Sequence, residues 1–426
     1  MDTLTGISQS VANEARGKFI PVRKEDLFGA LIRQGEFADL AESELFWRFA
    51  RTLRNICHYE YSQTLDRLRE DYYYFSPEVA AVFAPERTTS DRAYENLVSS
   101  LERVLKEANF EELPHEDVAE AHRKRTVPVA VKVEHNDFKE VRFYRRGQHV
   151  ERFEANSWFG LRRRVVETEV FDDIVLLVAM KTPDEIGSRR ELRILKRRKI
   201  VPGSVLLKYF HNIACGDLYA LFPNARVVMS TFDKAFLGVP ALVGGIPILL
   251  KLYATISVLF FVVGVYVGRS GSVGNADMKT AFAALMGLVA LGGLGISQWV
   301  KYQRQSLKYH MELTDNVYFR NVNNNAGIFD YLIATAEDQE CKQAVLAYHF
   351  IQKAGANASE AAVAAATEAW LSKSFGVGVD FDIDEALETL DRFGLVRRQG
   401  GRLMVPPLEE AIAQMQQVWD GFFKRQ

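Results

Sequence analysis

Hydrophobic positions along the chain change period several times. Within residues 24–122, Leu27, Leu31 and Ile32 recur at helical spacing, as do Leu45, Phe46, Phe49 and Leu53. That spacing predicts amphipathic helices. One is long, from Leu45 to Tyr73, and Ser76-Pro77 stops it; another covers about 91–109. From Thr126 the period becomes two. TVPVAVKVEH and KEVRFYRR alternate, and EVFDDIVLLVAMK holds a continuous apolar run. These are strand patterns. KYFHNIACGDLYALFP reads as a helix that follows them, completing an α+β domain near Leu237.

Periodicity then gives way to blocks of apolar residues. Residues 252–268, LYATISVLFFVVGVYVG, are uncharged over 17 positions. As helix they extend roughly 25 Å, near the lower limit for a membrane span. Lys251 can snorkel, so the span can begin near Pro247. Residues 280–300 add 21 uncharged positions ending at Trp299 and Tyr302, which suit an interface belt. The polar, Gly-rich link RSGSVGNADMK makes the pair a two-helix transmembrane hairpin. A pair of buried core helices is the competing reading, but each block is polar only at its ends and would need a large apolar shell. Gly264 with Gly268, and Ala283 with Gly287, have the four-residue spacing of small residues that lets helices approach. Gly is also simply common in membrane helices.

Charge sets the orientation. Residues 181–234 carry eleven Lys or Arg against five Asp or Glu, and Lys301, Arg304 and Lys308 follow the second block. The link has only Arg269 and Lys279. Positive flanks stay on the cytoplasmic side, so both termini are expected there.

The last part, 301–426, returns to helical patterns. Helices are expected over 340–351 and 360–373. Asp382 caps the next helix with Glu385 three residues on, and Gly394 ends it. LVRR, Gly400-Gly401 and RLMVPP predict a β-hairpin, so the region resembles a winged helix; a final helix carries Trp419 and Phe422. The expected divisions are 1–122 helical, 123–237 α+β, 238–300 transmembrane hairpin and 301–426 winged-helix-like. The fold class is thus an α+β membrane protein.

Composition alters this picture little. The 426 residues include 25% charged and 48% hydrophobic positions, with 53 Lys or Arg against 55 Asp or Glu. This is ordinary globular composition without the basic excess of a nucleic-acid binder. The winged-helix-like region adds to that exclusion, because its third helix carries Asp384, Glu385, Glu388 and Asp391 against Arg392. Cys57, Cys215 and Cys341 are far apart and odd in number, so no disulfide framework is expected. The N-terminus has no apolar core of a secretory signal and is too acidic for a mitochondrial presequence.

Candidate chemistry is sparse. No P-loop, dinucleotide fingerprint, GxSxG or HExxH is present. No catalytic residue, cofactor or metal is therefore assigned. Asp380, Asp382 and Asp384 alternate as in a calcium loop, but the Gly and Glu such a loop needs are missing. His211 and Cys215 lie one helical turn apart without further ligands of the right type. The strongest charge feature is Arg189, Arg190, Arg193, Lys196, Arg197, Arg198 and Lys199. It is a solvated face, a contact for anionic lipid headgroups, or a site for a phosphorylated ligand. Asn321, Asn323, Asn324 and Asn325 form a polar knot after the second span, and such clusters usually cap or turn. His58, Tyr59, Tyr61, Tyr72, Tyr73 and Tyr74 are more readily half-buried packing than a site.

Several segments together carry a resemblance. FIPVRKEDL (19–27), HYEYSQTL (58–65), SWFGLRRR (157–164), LLKYFHNIACGDLYALFP (206–223), Val239-Pro240 and YFRNVNNNAGIFDYLIATAEDQECKQAVLAYHFI (318–351) resemble the domain of unknown function 3754 family. That family includes transmembrane protein 143-like membrane proteins. The resemblance covers about residues 19–425, with 318–351 its most specific part. It implies two membrane helices and no established activity or site.

The sequence therefore predicts a membrane-anchored protein with large cytoplasmic domains, in a bacterial plasma membrane or alternatively an organelle inner membrane. A non-enzymatic scaffold, sensor or assembly factor is the first reading. Its partners would be the bilayer, anionic lipids and further copies of itself. The rivals are a membrane-surface enzyme using His211, Asp217, Asn323 and Asn324 on a lipid or phosphorylated substrate, and an oligomeric pore.

Overall fold

A computed structural model describes residues 17–34, 40–82, 87–123, 130–157, 162–188, 192–193, 195, 200–228, 258–265, 267 and 274–424. The fold is mixed α+β. The chain forms two compact units: Met1–Arg123, His135–Leu218 and Arg320–Gln426 make the first, and Lys124–Glu134 with Tyr219–Phe319 the second.

The first unit begins with α1 (Lys24–Arg33), α2 (Leu40–Tyr73), a single turn α3 (Pro77–Ala80) and α4 (Arg87–Glu107). β1 (Glu111–Leu113) and α5 (His115–Arg123) follow. Three longer strands come next, β3 (Phe138–Ser157), β4 (Arg162–Met180) and β5 (Val205–Ala214). With β7 (Asn321–Asn324) they form a five-stranded sheet in the order β1-β3-β4-β5-β7, every pair antiparallel. Both faces are buried along its centre. Val175, Leu177, Leu207 and Tyr209 join the helical core, and Phe143, Ile174, Leu176 and Phe210 lie on the opposite parity.

One predicted element is corrected here. The segment 205–221 is not a helix but strand β5 followed by a 3-10 turn over Cys215–Leu221. Val205, Leu207 and Tyr209 alternate into the core, and β4 and β7 supply ladder partners on both edges. His211 and Cys215 therefore never share a helical face.

The helical core closes on α7 (Gly327–Ala354), which is buried from Ile328 to Ile351 along its inward positions. α2, α4, α8 (Glu360–Phe375) and α9 (Ile383–Arg392) pack on it. Phe49 stacks on Tyr348 at 4.2 Å, and Tyr72 donates to the Val205 carbonyl at 2.9 Å. Asp382 caps α9 through the Glu385 N–H, as the sequence predicts. The hairpin β8 (Arg397–Gln399) and β9 (Arg402–Met404) turns at Gly400 and Gly401, whose φ values of 59° and 75° fit a two-residue type I′ turn. In α10 (Leu408–Lys424), Trp419 and Phe422 lie against Tyr59 at 5.7 and 5.0 Å.

The second unit pairs β2 (Ala130–Lys132) with β6 (Arg226–Val228) and contains α6 (Asn275–Tyr318). α6 has 44 residues, about 66 Å of helix. Its segment Met278–Lys301 is long and apolar enough to cross a membrane, and 12% of its most apolar window is buried. Among the described residues it is the one helix that meets this test. The first expected span lies mostly outside the described residues. Positions 258–265 within it are helical, with Phe260, Phe261 and Val263 exposed.

Candidate functional site

Register builds a polar row across three neighbouring strands. Arg146 on β3 pairs with Asp173 on β4, and Asp173 pairs with His211 on β5. Directly opposed residues in an antiparallel ladder point to one face. Here it is the face covered by helices, because the adjacent row is Tyr144, Val175 and Tyr209, all in the helical core. Tyr331 comes down from α7 and stacks on Tyr209 at 4.4 Å.

The hydrogen bonds converge on Asp173. Arg146 donates Nε at 2.9 Å and Nη2 at 2.5 Å to Oδ2. The Tyr209 hydroxyl donates to Oδ1 at 2.5 Å, and His211 Nδ1 lies 2.9 Å from the same oxygen. Arg146 also donates to Tyr331 Oη (3.0 Å) and to the Ala108 carbonyl (3.3 Å). Its guanidinium lies between the rings of Phe19 (4.2 Å) and Phe110 (4.6 Å). Both charged partners are 6% exposed. Burial alone pushes the Asp173 carboxyl up, yet the Arg146 charge and the bonds from Tyr209 and His211 prevail and hold it below its usual range. Burial and then the Asp173 carboxylate raise the Tyr209 phenol, keeping it a neutral donor.

His211 is the water-facing end of this network, with 53% of its side chain exposed. A carboxylate accepts only, so Nδ1 carries a proton, and Nε2 is the ring nitrogen that Asp173 does not engage. This is the geometry in which an acid orients an imidazole for proton transfer. Among the described residues no group of three or more His, Cys, Asp or Glu is placed to hold a metal.

Phe19 is held by its own strap. The Ile20 N–H donates to Gln339 Oε1 (2.8 Å), and Gln339 Nε2 donates back to the Ile20 carbonyl (3.2 Å). Lys342 Nζ donates to the carbonyls of Ile20 (2.7 Å) and Val22 (3.0 Å) and pairs with Asp338 at 2.7 Å. Burial lowers the Lys342 pKa, with Asp338 opposing it.

The residues singled out in sequence distribute as follows. His211 gains Asp173 as its partner, while Asp217 lies in the 3-10 turn after β5. Asn321, Asn323 and Asn324 belong to β7 and pair with Phe210, Tyr209 and Lys208. Asn321 and Asn324 hydrogen-bond each other, and Asn325 turns the chain at φ 51° while its N–H donates to the Leu207 carbonyl. The knot thus ends a strand and starts α7. His58 pairs with Glu337 at 2.9 Å, Tyr61 and Tyr72 are buried, and Tyr73 and Tyr74 are exposed. Of the basic run, Arg193 is exposed; Arg189, Arg190, Lys196, Arg197, Arg198 and Lys199 lie outside the described residues. Gly264 is half-buried in the helical segment 258–265, Ala283 is exposed and Gly287 half-buried on α6, and Gly268 lies outside the described residues. Cys57, Cys215 and Cys341 are buried free thiols.

Sequence reasoning missed Arg146, Asp173, Tyr209 and Tyr331. The signal for Asp173 was present: in EVFDDIVLLVAM it has the same parity as Val175 and Leu177, so an acid was due to face the core.

No solved structure matches the chain. Residues 171–327, from the inner half of β4 to the first residue of α7, match the model of a family described as protein of unknown function (DUF3754). Asp173, Tyr209 and His211 fall inside that stretch, over which the chain matches the DUF3754 family.

Proposed function

We propose that the protein is membrane-anchored through Met278–Lys301 and acts as a scaffold or sensor whose first unit faces water. The observation that carries this reading is the exposure of an apolar helix: Phe282, Met286, Val289, Ile296 and Trp299 are all uncovered. In water a patch of that extent is a liability, whereas lipid satisfies it. The residues of 247–268 supply the second span of this reading. The C-terminal helices and hairpin supply a winged-helix-like module for protein contact, its third helix too acidic for DNA. Exposed Arg193 and its basic neighbours supply contact with anionic headgroups. Alkaline carbonate washing of membranes tests the anchor. The full chain should stay in the pellet and a chain lacking 247–301 should leave it; release of the full chain sinks the reading.

The His211–Asp173 pair favours a second reading, acid–base chemistry at the membrane surface. An oriented imidazole whose Nε2 is not engaged by Asp173 can take a proton from water or a substrate hydroxyl. The measurement is hydrolysis across a panel of soluble ester and phosphoester substrates. Turnover that the His211→Ala chain lacks supports it, and equal background in both chains removes it.

A further inference from the structure

A second ionisable cluster lies in the helical core of the first unit. Four helices each deliver a glutamate: Glu60 from α2, Glu107 from α4, Glu340 from α7 and Glu385 from α9. One cation answers them closely. Arg392 Nη2 contacts Glu340 Oε1 and lies 3.1 Å from Glu60 Oε2. Thr389 donates to Glu340 Oε1 at 2.9 Å, and Tyr61 donates to Glu107 Oε2 at 3.1 Å. Arg103 acts on Glu107 from its own helix, and the Cys57 thiol adjoins Glu340 and Glu60. At the edge, Asp382 is neutralised by Lys18 at 2.9 Å.

The deficit of donors has an independent mark. Gln343 is 1% exposed, and its Nε2 donates to Glu385 Oε2 at 3.2 Å, so its amide sits inside the cluster. Its Oε1 is buried and meets no donor among the described residues. A buried acceptor left among carboxylates is costly unless something supplies a hydrogen.

We propose that this cluster is a proton-binding switch: a proton held among Glu385, Glu107 and Gln343 locks α9 and α4 onto α7, and its loss loosens that packing. Charge balance points the same way: Arg392 contacts Glu60 and Glu340, whereas Arg103 and Lys18 reach Glu107 and Glu385 only through space. Burial is the first cause that raises Glu107 and Glu385, each to about 7, and Glu340 adds to both. Glu60 is raised by burial as well, against the pull of Arg392. The sign is fixed. Unfolded glutamate ionises near pH 4.3, so the stabilisation is complete below about that pH and is lost as pH rises through 7.

The direct test is infrared spectroscopy of the full chain in mild detergent, following the C=O stretch of protonated carboxyl groups. The wild type should show buried protonated carboxyl at pH 6 that disappears by pH 8. Glu385→Gln and Glu107→Gln should each remove part of it. The companion test is the unfolding midpoint, which should fall by about 5 °C between pH 5.5 and 8 in the wild type. Glu385→Gln should flatten that slope and unfold later than wild type at pH 8, because its amide donates at every pH. Absence of a protonated carboxyl at pH 6, an unchanged slope in both variants, or a stoichiometric metal ion in the purified chain overturns the proposal. None of these outcomes depends on whether Met278–Lys301 is inserted in a membrane.

Discussion

α6 and α7 follow one another in the chain with a short strand between them, and they reverse the usual relation of polarity to burial. The most apolar stretch of α6 is nearly all exposed. α7 carries Gln339, Glu340, Lys342, Gln343 and His349 at positions that are almost fully buried. Hydropathy alone would place them the other way round. The difference is in partners. Most polar groups of α7 meet named groups: the strap carbonyls for Lys342 and Gln339, Arg392 and Thr389 for Glu340, and Glu385 for the Gln343 side-chain N–H, with Gln343 Oε1 an exception. A buried polar side chain is tolerable when it is bonded. The apolar side chains of α6 have no such need inside the protein, because lipid can cover them. Hydropathy therefore reports the medium a helix can tolerate, and geometry reports the neighbours it obtains.

The largest way to break this contrast is to strip a buried partner. Arg146→Ala leaves the buried Asp173 without its guanidinium partner, held by Tyr209 and His211 alone, and should cost about 3–5 kcal/mol in chemical unfolding. A loss under 1 kcal/mol would mean the network is not closed to water. Next is a charge in the exposed helix. Val289→Arg should lower membrane insertion by about 2.5–3.5 kcal/mol while leaving the first unit folded by circular dichroism. An unfolded first unit would instead make α6 a core helix. A smaller effect sharpens the polar side: Tyr331→Phe removes the acceptor for Arg146 and should cost about 1 kcal/mol. An acid series gives a related check. Asp173 is held below its ordinary range, so its stabilisation is present above about pH 4 and lost as pH falls through the lower folded value. Asp173→Asn should remove that acid limb from the midpoint curve. Smallest is Gly401→Ala in the exposed hairpin, where φ of 75° forces a strained backbone costing about 1 kcal/mol.

The long helix α2, the strands around β3 and β4, the cap at Asp382 and the turn at Gly400-Gly401 were all visible in sequence, because each is written locally. Strand β5 was not. Its residues 208–214 run without a break into the 3-10 turn 215–221, so the whole segment reads as one helix until pairing with β4 and β7 marks the strand. The candidate site was half visible. His211 stands out in sequence, but spacing groups it with Cys215 and the rival enzyme reading with Asp217, Asn323 and Asn324, whereas its partner is Asp173, 38 residues away across a ladder.

By itself, then, the sequence determined the apolar character of residues 278–301, the local caps and turns, and the α+β composition, since hydropathy and capping act within a few residues. Only the tertiary structure decided that Arg146, Asp173 and His211 form a row, that Phe19 covers it, and that Glu60 and Glu340 share Arg392. Those contacts join residues tens to hundreds of positions apart. Strand register and helix packing bring them together, and neither is encoded in any one stretch of chain.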